Sequence, residues 1–287
     1  MKPIPCCEFQ TETLFVDDSQ DLQLALSLHL PLGNGRYTFM NSPHESLAYL
    51  QKQTPLLTAK HLSRAECPVP DDLHFKANLD EIKTYADRPS KMHKIGVVFM
   101  DYEMPGMNGL EVFENANAPC LEKILLTGRD EKLAVQAFNR GLINQYISKQ
   151  DSKFIFLINE AIGIGRENYF KRSTETLYRI LTFDDQDTAL TDPIFVQFFD
   201  QLKKKLNIIE YYLLDNTGSF LMIDANKVRY KLNTYTKEKY QSLLETLPPQ
   251  HRPVEIIRGR QIYHCLMGAG FTPCLDLRKG NNHGLTA

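Results

Sequence analysis

No stretch of the 287-residue chain comes near the roughly 18 consecutive apolar residues that a membrane-spanning helix needs, so no bilayer crossing is expected. The opening residues, through Cys6 and Cys7, lack a charged segment followed by an apolar run and do not read as a secretory signal. The chain is therefore expected in the cytoplasm with its thiols reduced. Its six cysteines (Cys6, Cys7, Cys67, Cys120, Cys265 and Cys274) form no Cys-x-x-Cys pair and have no histidine set nearby, which excludes the usual zinc patterns. A strong charge bias is missing too. Residues 1–165 carry 16 Lys and Arg against 21 Asp and Glu, and residues 166–287 carry 17 against 14, too mild a basic excess for a typical DNA-binding half. There is no internal repeat and no low-complexity segment. The length suits two globular domains.

What the chain does contain is an alternation of strands and helices. Thr13-Leu14-Phe15-Val16 predicts a short buried strand, ending in the polar turn Asp17-Asp18-Ser19. A helix with Leu22, Leu26 and Leu30 on one face follows. Arg36 to Met40 is a second strand candidate, and Ser42-Pro43-His44-Glu45 has the capping Ser, first-turn Pro and third-position Glu of a helix start. Ile95-Gly96-Val97-Val98-Phe99-Met100-Asp101 is apolar without alternation, the pattern of a strand covered on both faces. Ile124 to Thr127 and Gln145 to Lys149 predict two more strands, with helices at 110–117 and 130–140. Such an order predicts right-handed crossovers and a doubly wound five-stranded parallel α/β domain over residues 1–165. Residues 54–93, with Pro55, Pro68, Pro70 and Pro89, are expected to be a surface insertion with little core of its own and one short helix at Leu79, Ile82 and Tyr85.

In a parallel sheet the functional groups gather beyond the carboxyl ends of the strands. The strand ends here supply Asp17, Asp18, Asp101, Thr127 and Lys149. Crowded carboxylates call for a divalent cation, and Mg²⁺ takes oxygen ligands while keeping waters that phosphate oxygens can replace. Lys149 could pair with a phosphoryl oxygen as a point charge and Thr127 could donate to another, with an aspartyl phosphate on Asp101 as the product. Singly, each has an ordinary reading: a turn and cap, a turn acid, a strand-end hydroxyl, a solvated lysine. Their joint order points to one site.

Four stretches carry a resemblance to the receiver (CheY-like) family: Phe15-Val16-Asp17-Asp18-Ser19, Val97 to Gly109 with its D-x-x-M-P-x-M-x-G run, Leu125-Leu126-Thr127-Gly128, and Tyr146-Ile147-Ser148-Lys149. The resemblance implies a response regulator of a two-component phosphorelay. Asp101 would be phosphorylated by a sensor histidine kinase or a phosphotransfer protein. Asp18 would bind Mg²⁺ directly, Asp17 through water, and the backbone carbonyl of Glu103 would complete the metal's protein ligands. Thr127 would follow the phosphoryl group inward, and Tyr146 would turn between exposed and buried rotamers. In such a site Glu103 and Arg129, each two residues past a functional position, would overhang Asp101, and an ion pair between them would lengthen the phosphorylated lifetime. The sequence departs from the family twice. Gln150 stands where a Pro usually follows the lysine, so the loop after Lys149 is expected to sit differently. Asp18 and Asp101 are 83 positions apart, about twice the family's distance, and the excess matches the 54–93 stretch.

The second half reads as one long helix or two joined ones over 152–181, weakened at Gly163 and Gly165. Residues 166–190 are expected to be a helical connector. Residues 191–287 are expected to form an α+β output domain with antiparallel hairpins, one around Asp215-Asn216-Thr217-Gly218 and one around Arg258-Gly259-Arg260, with a helix at about 236–247 and a loose tail from Asn281. No short basic recognition helix is present, so direct DNA binding is not the expected output. The whole chain also resembles a narrower group of response regulators that includes the Legionella quorum-sensing regulator. That likeness implies phosphorylation-linked homodimers. Self-modification makes the chain a switch rather than an enzyme with turnover. The alternative is a phosphorylation-independent interaction or ligand-sensing protein using the receiver as scaffold. A phosphatase reading is weaker, because its paired acids belong on the first strand.

Overall fold

The computed structural model describes residues 3–31, 35–57, 62–64, 75–77, 79–128, 131–182, 188–236, 242, 245, 257–258 and 262–268. In chain order, β1 (Cys7–Glu8), β2 (Glu12–Val16), α1 (Gln20–His29), β3 (Arg36–Met40) and α2 (Pro43–Gln51) come first. Next are β4 (Leu62–Arg64), β5 (Phe75–Ala77), α3 (Asp80–Thr84) with a 3-10 turn at Tyr85–Asp87, and β6 (Ile95–Asp101). α4 (Gly109–Asn115), β7 (Glu122–Thr127), α5 (Glu131–Asn139), β8 (Gln145–Ser148) and α6 (Phe154–Thr182) follow. The rest is α7 (Pro193–Lys205), β9 (Ile208–Leu213), β10 (Phe220–Asp224), β11 (Arg229–Thr236), β12 (Ile257–Arg258) and β13 (Ile262–Gly268). The chain divides into two units. One is Phe9–Thr58 with Arg88–Thr174, and the other is Met1–Glu8, Ala59–Asp87 and Glu175–Ala287.

The first unit holds a parallel sheet in the order β3-β2-β6-β7-β8, the doubly wound arrangement expected. Every residue of β2 and of β6 is buried, which is why their sequences show no alternation. Phe15 lies opposite both Phe39 and Phe99 in register, and its ring stacks on theirs at 5.2 and 4.7 Å. Leu26 and Leu30 of the α1 end and Phe154, Ile158, Ala161 and Ile162 of α6 pack on Phe15, Val97, Phe99 and Ile124. Burying each of the larger of these side chains contributes about 1.5–3 kcal/mol. Ser19 caps α1 by accepting from Leu22 N–H, and Ser42 caps α2 by accepting from Glu45 N–H, as the sequence suggested.

α6 is one unbroken helix despite its glycines. Gly165 serves packing: a Cβ there would lie 2.9 Å from Cγ of Glu122 and 3.0 Å from Cγ2 of Val97. The expected connector is corrected at its start, because residues 166–174 belong to the first unit. Arg172 pairs with the buried carboxylate of Glu122, and Asn168 donates to the same carboxylate at 3.1 Å. Phe170 packs edge-on against Phe9 at 4.7 Å.

The second unit is an antiparallel sheet in the order β1-β9-β10-β11-β13-β12. The β9–β10 hairpin pairs Leu213 with Phe220, and Asp215 Oδ1 fixes its turn by accepting from the N–H groups of Thr217 and Ser219. α7 starts at the Asp192 cap and the following Pro193. It buries Phe195, Phe198, Phe199 and Leu202, and the ring of Phe199 meets those of Tyr211 and Phe220 at 5.0 and 4.7 Å. The second expected hairpin exists as β12 paired with β13, Ile257 opposite His264. The sequence reading passed over β11, which pairs with both β10 and β13. The helix expected at about 236–247 lies, but for Thr236, which ends β11, and for Ser242 and Glu245, outside the described residues, as does the tail from Asn281.

Two boundaries differ from expectation because the second unit draws on non-local partners, a strand in one case and a packed helix in the other. β1 pairs with β9, Cys7 opposite Tyr212 and Glu8 opposite Tyr211, so the first unit begins at Phe9 rather than at residue 1. The stretch expected to be a surface insertion of the first domain belongs largely to the second unit. It brings its own core contribution: Ile82, Tyr85 and Ala86 are buried, and α3 with the turn after it packs on β9.

Candidate functional site

The parallel register sets the ends of β2, β6, β7 and β8 side by side. Val16 lies opposite Met100, Asp101 opposite Leu126 and Thr127 opposite Ser148. Asp17 directly follows β2 and Asp101 ends β6, with exposures of 1 % and 4 %. Asp18 is exposed. One carboxylate oxygen from each of Asp17, Asp18 and Asp101 lies within 4.8 Å of the others. The half-buried Lys149 ammonium sits 2.7 Å from Oδ2 of Asp17 and 2.7 Å from Oδ1 of Asp101. Thr127 ends β7, its hydroxyl buried and without a hydrogen-bond partner among the described residues.

The backbone around these groups is braced. Asp17 Oδ1 accepts from Ser19 N–H at 2.9 Å. Gln23, in the first turns of α1, donates to the carbonyl oxygens of Asp17 at 2.6 Å and Met40 at 2.8 Å, tying the ends of β2 and β3 together. Lys149 N–H donates to Thr127 O at 2.8 Å. Asn108 caps α4, with Glu111 returning the capping hydrogen bond to its N–H. Gly109 admits no side chain, since a Cβ would lie 2.2 Å from the Asp101 carbonyl oxygen. This close approach lets the loop after Asp101 fold back against the strand it leaves. Sequence reasoning missed Gln23 as a brace; its only signal was an amide one turn past the acidic pair.

Burial raises the Asp101 carboxyl above its ordinary range; Lys149 offsets part of that, while Asp17 and Asp18 add to it. For Lys149 burial pulls the other way, but the hydrogen bonds and charges of Asp101 and Asp17 outweigh it and hold the ammonium above its usual range. Three carboxylates and one ammonium leave two negative charges uncompensated. That count and the all-oxygen donor set fit a divalent cation such as Mg²⁺. The orphaned Thr127 hydroxyl fits an incoming oxygen ligand, because a buried donor left unpaired costs about 1–3 kcal/mol.

The other expected residues are placed less tightly. Tyr146 is half-buried in β8, and Glu103 is exposed. Arg129 lies outside the described residues, so the Glu103–Arg129 pair has no geometry here. The loop after Lys149 has its own anchor. Without a ring at position 150, Gln150 keeps an N–H, which Ser148 Oγ accepts at 3.3 Å. Asp151 accepts from Lys153 N–H at 2.8 Å just ahead of α6.

No protein-family model matches the sequence, and no curated protein matches it. Among solved structures, the Legionella pneumophila response regulator LqsR is similar over 96% of this chain and 92% of its own, with 27% identity and a TM-score of 0.73. An adenylate cyclase from Rhodopirellula baltica is similar over 60% of this chain and 98% of its own, at 24% identity and a TM-score of 0.42. A CheY-like response regulator receiver domain protein from Methanospirillum hungatei is similar over 56% and 98%, at 18% identity and a TM-score of 0.38. Likeness over nearly the full length of a response regulator, on top of the doubly wound sheet and the acidic groups at its carboxyl edge, supports a response-regulator fold with a receiver domain.

Proposed function

We propose that the chain is the phosphoacceptor of a two-component phosphorelay, taking a phosphoryl group on Asp101 from the phosphohistidine of a sensor kinase or phosphotransfer protein. The observation that carries this reading is a buried Asp101 carboxylate with the Lys149 ammonium at 2.7 Å and the unpartnered Thr127 hydroxyl on the neighbouring strand end. The P–N bond of the donor breaks as a P–O bond forms to an Asp101 carboxylate oxygen, and the departing imidazole nitrogen takes a proton from solvent. Lys149 moves its charge toward the new phosphoryl oxygens, and Thr127 donates to one of them. Asp17, Asp18 and Asp101 are the residues that would hold Mg²⁺, which when bound supplies positive charge against those oxygens.

Loss of the Lys149–Asp101 pair and capture of Thr127 bias a two-state equilibrium, with Tyr146 as its rotamer reporter. Homodimerisation or altered contacts of the second unit form the output, and the aspartyl phosphate turns over only by its own hydrolysis. A signalling role of the quorum-sensing kind in the cytoplasm is part of this proposal, and the likeness to the response regulator LqsR supports the response-regulator reading on which it rests. Among the described residues no helix is long and apolar enough to cross a membrane.

The test is intact mass after incubation with acetyl phosphate and Mg²⁺, beside Asp101→Asn, with size exclusion on both. One added phosphoryl group on wild type alone, with earlier elution, is the expected result. No adduct from acetyl phosphate or from a competent kinase overturns the reading.

A further inference from the structure

At the end of the parallel sheet opposite the acidic site, the first unit holds a cavity of about 450 Å³. Small-molecule sites span roughly 300–1,000 Å³. The walls come from the end of α2 and the loop after it, the first residue of β6, the loop between α4 and β7, and α6. Ile95 opens β6 and Asp101 closes it, so a strand length of about 20 Å separates the cavity from the acidic edge.

The lining is largely apolar, with Leu50, Leu56, Ile95, Leu121 and the Tyr169 side chain, and no lining residue carries a charge. Most of its polar groups are already engaged. Gln51 donates to the Asn115 carbonyl at 3.2 Å, Gln53 accepts from Ile95 N–H at 3.4 Å, and Thr54 accepts the Lys94 ammonium at its hydroxyl and at its carbonyl. Arg172, one residue from Ser173, is committed to Glu122. Ser173 differs: it is 8 % exposed, and its hydroxyl has no partner among the described residues. A charged ligand would lose its hydration here with no charged lining side chain to meet it and with the neighbouring Lys94 ammonium already taken up by Thr54, whereas an apolar one would exchange water for matched surface. One neutral acceptor on the ligand would satisfy Ser173.

We propose that this cavity binds an uncharged, largely apolar small molecule carrying one hydrogen-bond acceptor, as an input separate from Asp101. Tyr169 and Ser173 stand on α6 just before residue 174, beyond which the same helix continues to Thr182 as part of the second unit. Occupancy therefore acts on a helix that both units share.

Cys120, a half-exposed lining residue, provides the readout. The full-length protein is alkylated with N-ethylmaleimide, and the rate at Cys120 is followed by peptide mass mapping in the presence of 1-octanol or octanoate, which differ in charge. Saturable, several-fold slowing by 1-octanol is expected, with no slowing by octanoate. Ala118→Trp, which fills the cavity from a half-exposed position, should abolish protection, and Ser173→Ala should weaken it several-fold. Asp101→Asn should leave protection intact, which separates this proposal from the phosphoacceptor reading. Absence of slowing by 1-octanol in wild type, equal slowing by octanoate, or protection surviving in folded Ala118→Trp overturns it.

Discussion

The two units differ in how far apart in the chain their partners lie. In the first, each helix returns the chain to a parallel strand beside one already laid down, and the functional groups fall at strand ends. The second is assembled from three separated stretches, with β1 paired to β9 in the sheet and the 79–87 region packed against β9. Local patterning explains the first arrangement. The second depends on pairings that no window of sequence contains.

If the units are cooperative bodies of their own, core truncations should act on one and spare the other. Phe99→Ala should cost about 3–5 kcal/mol and strip hydrogen-exchange protection from β2 and β6, leaving β9 and β10 protected. Phe199→Ala should do the reverse at similar cost. Loss of protection in both units from either variant would erase the distinction.

A smaller effect should separate the acidic edge of the first unit from everything else. Lys149→Ala leaves the Asp17 and Asp101 carboxylates without their shared ammonium, and because Lys149 is 23% exposed the destabilisation without divalent ions is expected to fall below the roughly 3–5 kcal/mol of a fully buried pair. Mg²⁺ should then raise the melting temperature of the variant more than that of wild type, since a ligand that binds only the folded state stabilises it. An equal response in a Mg²⁺ titration followed by calorimetry would argue against metal binding among these carboxylates.

The smallest change probes the family departure. Gln150→Pro removes the N–H that Ser148 Oγ accepts, and a loss of about 0.5–1.5 kcal/mol is expected in urea unfolding. A stabilised Gln150→Pro variant would show that the loop prefers the family's residue.

The sequence made the first unit legible because burial on both faces leaves a direct trace: β6 reads as an uninterrupted apolar run, and its last residue is Asp101. The site was legible for the same reason, since each functional side chain sits at or just past such a run. β11 left no such trace. Arg229-Tyr230-Lys231-Leu232-Asn233-Thr234-Tyr235-Thr236 is too polar to read as a strand, although Leu232, Asn233 and Thr234 are buried. β1 is two residues long, and nothing near Cys7 announces Tyr212. Gly165 reads in the sequence only as a weak point of the helix, and its closeness to Glu122 and Val97 gives it a packing role.

The chain passes between its units after Glu8, after Thr58, after Asp87 and after Thr174. A signalling protein with one linker can trade its output by a single recombination event. Here replacing everything beyond residue 174 would leave behind a strand and a helix shaped for a sheet that is gone. The second unit can therefore change only by gradual substitution in concert with the first, and any engineered chimera has to carry all three of its pieces together.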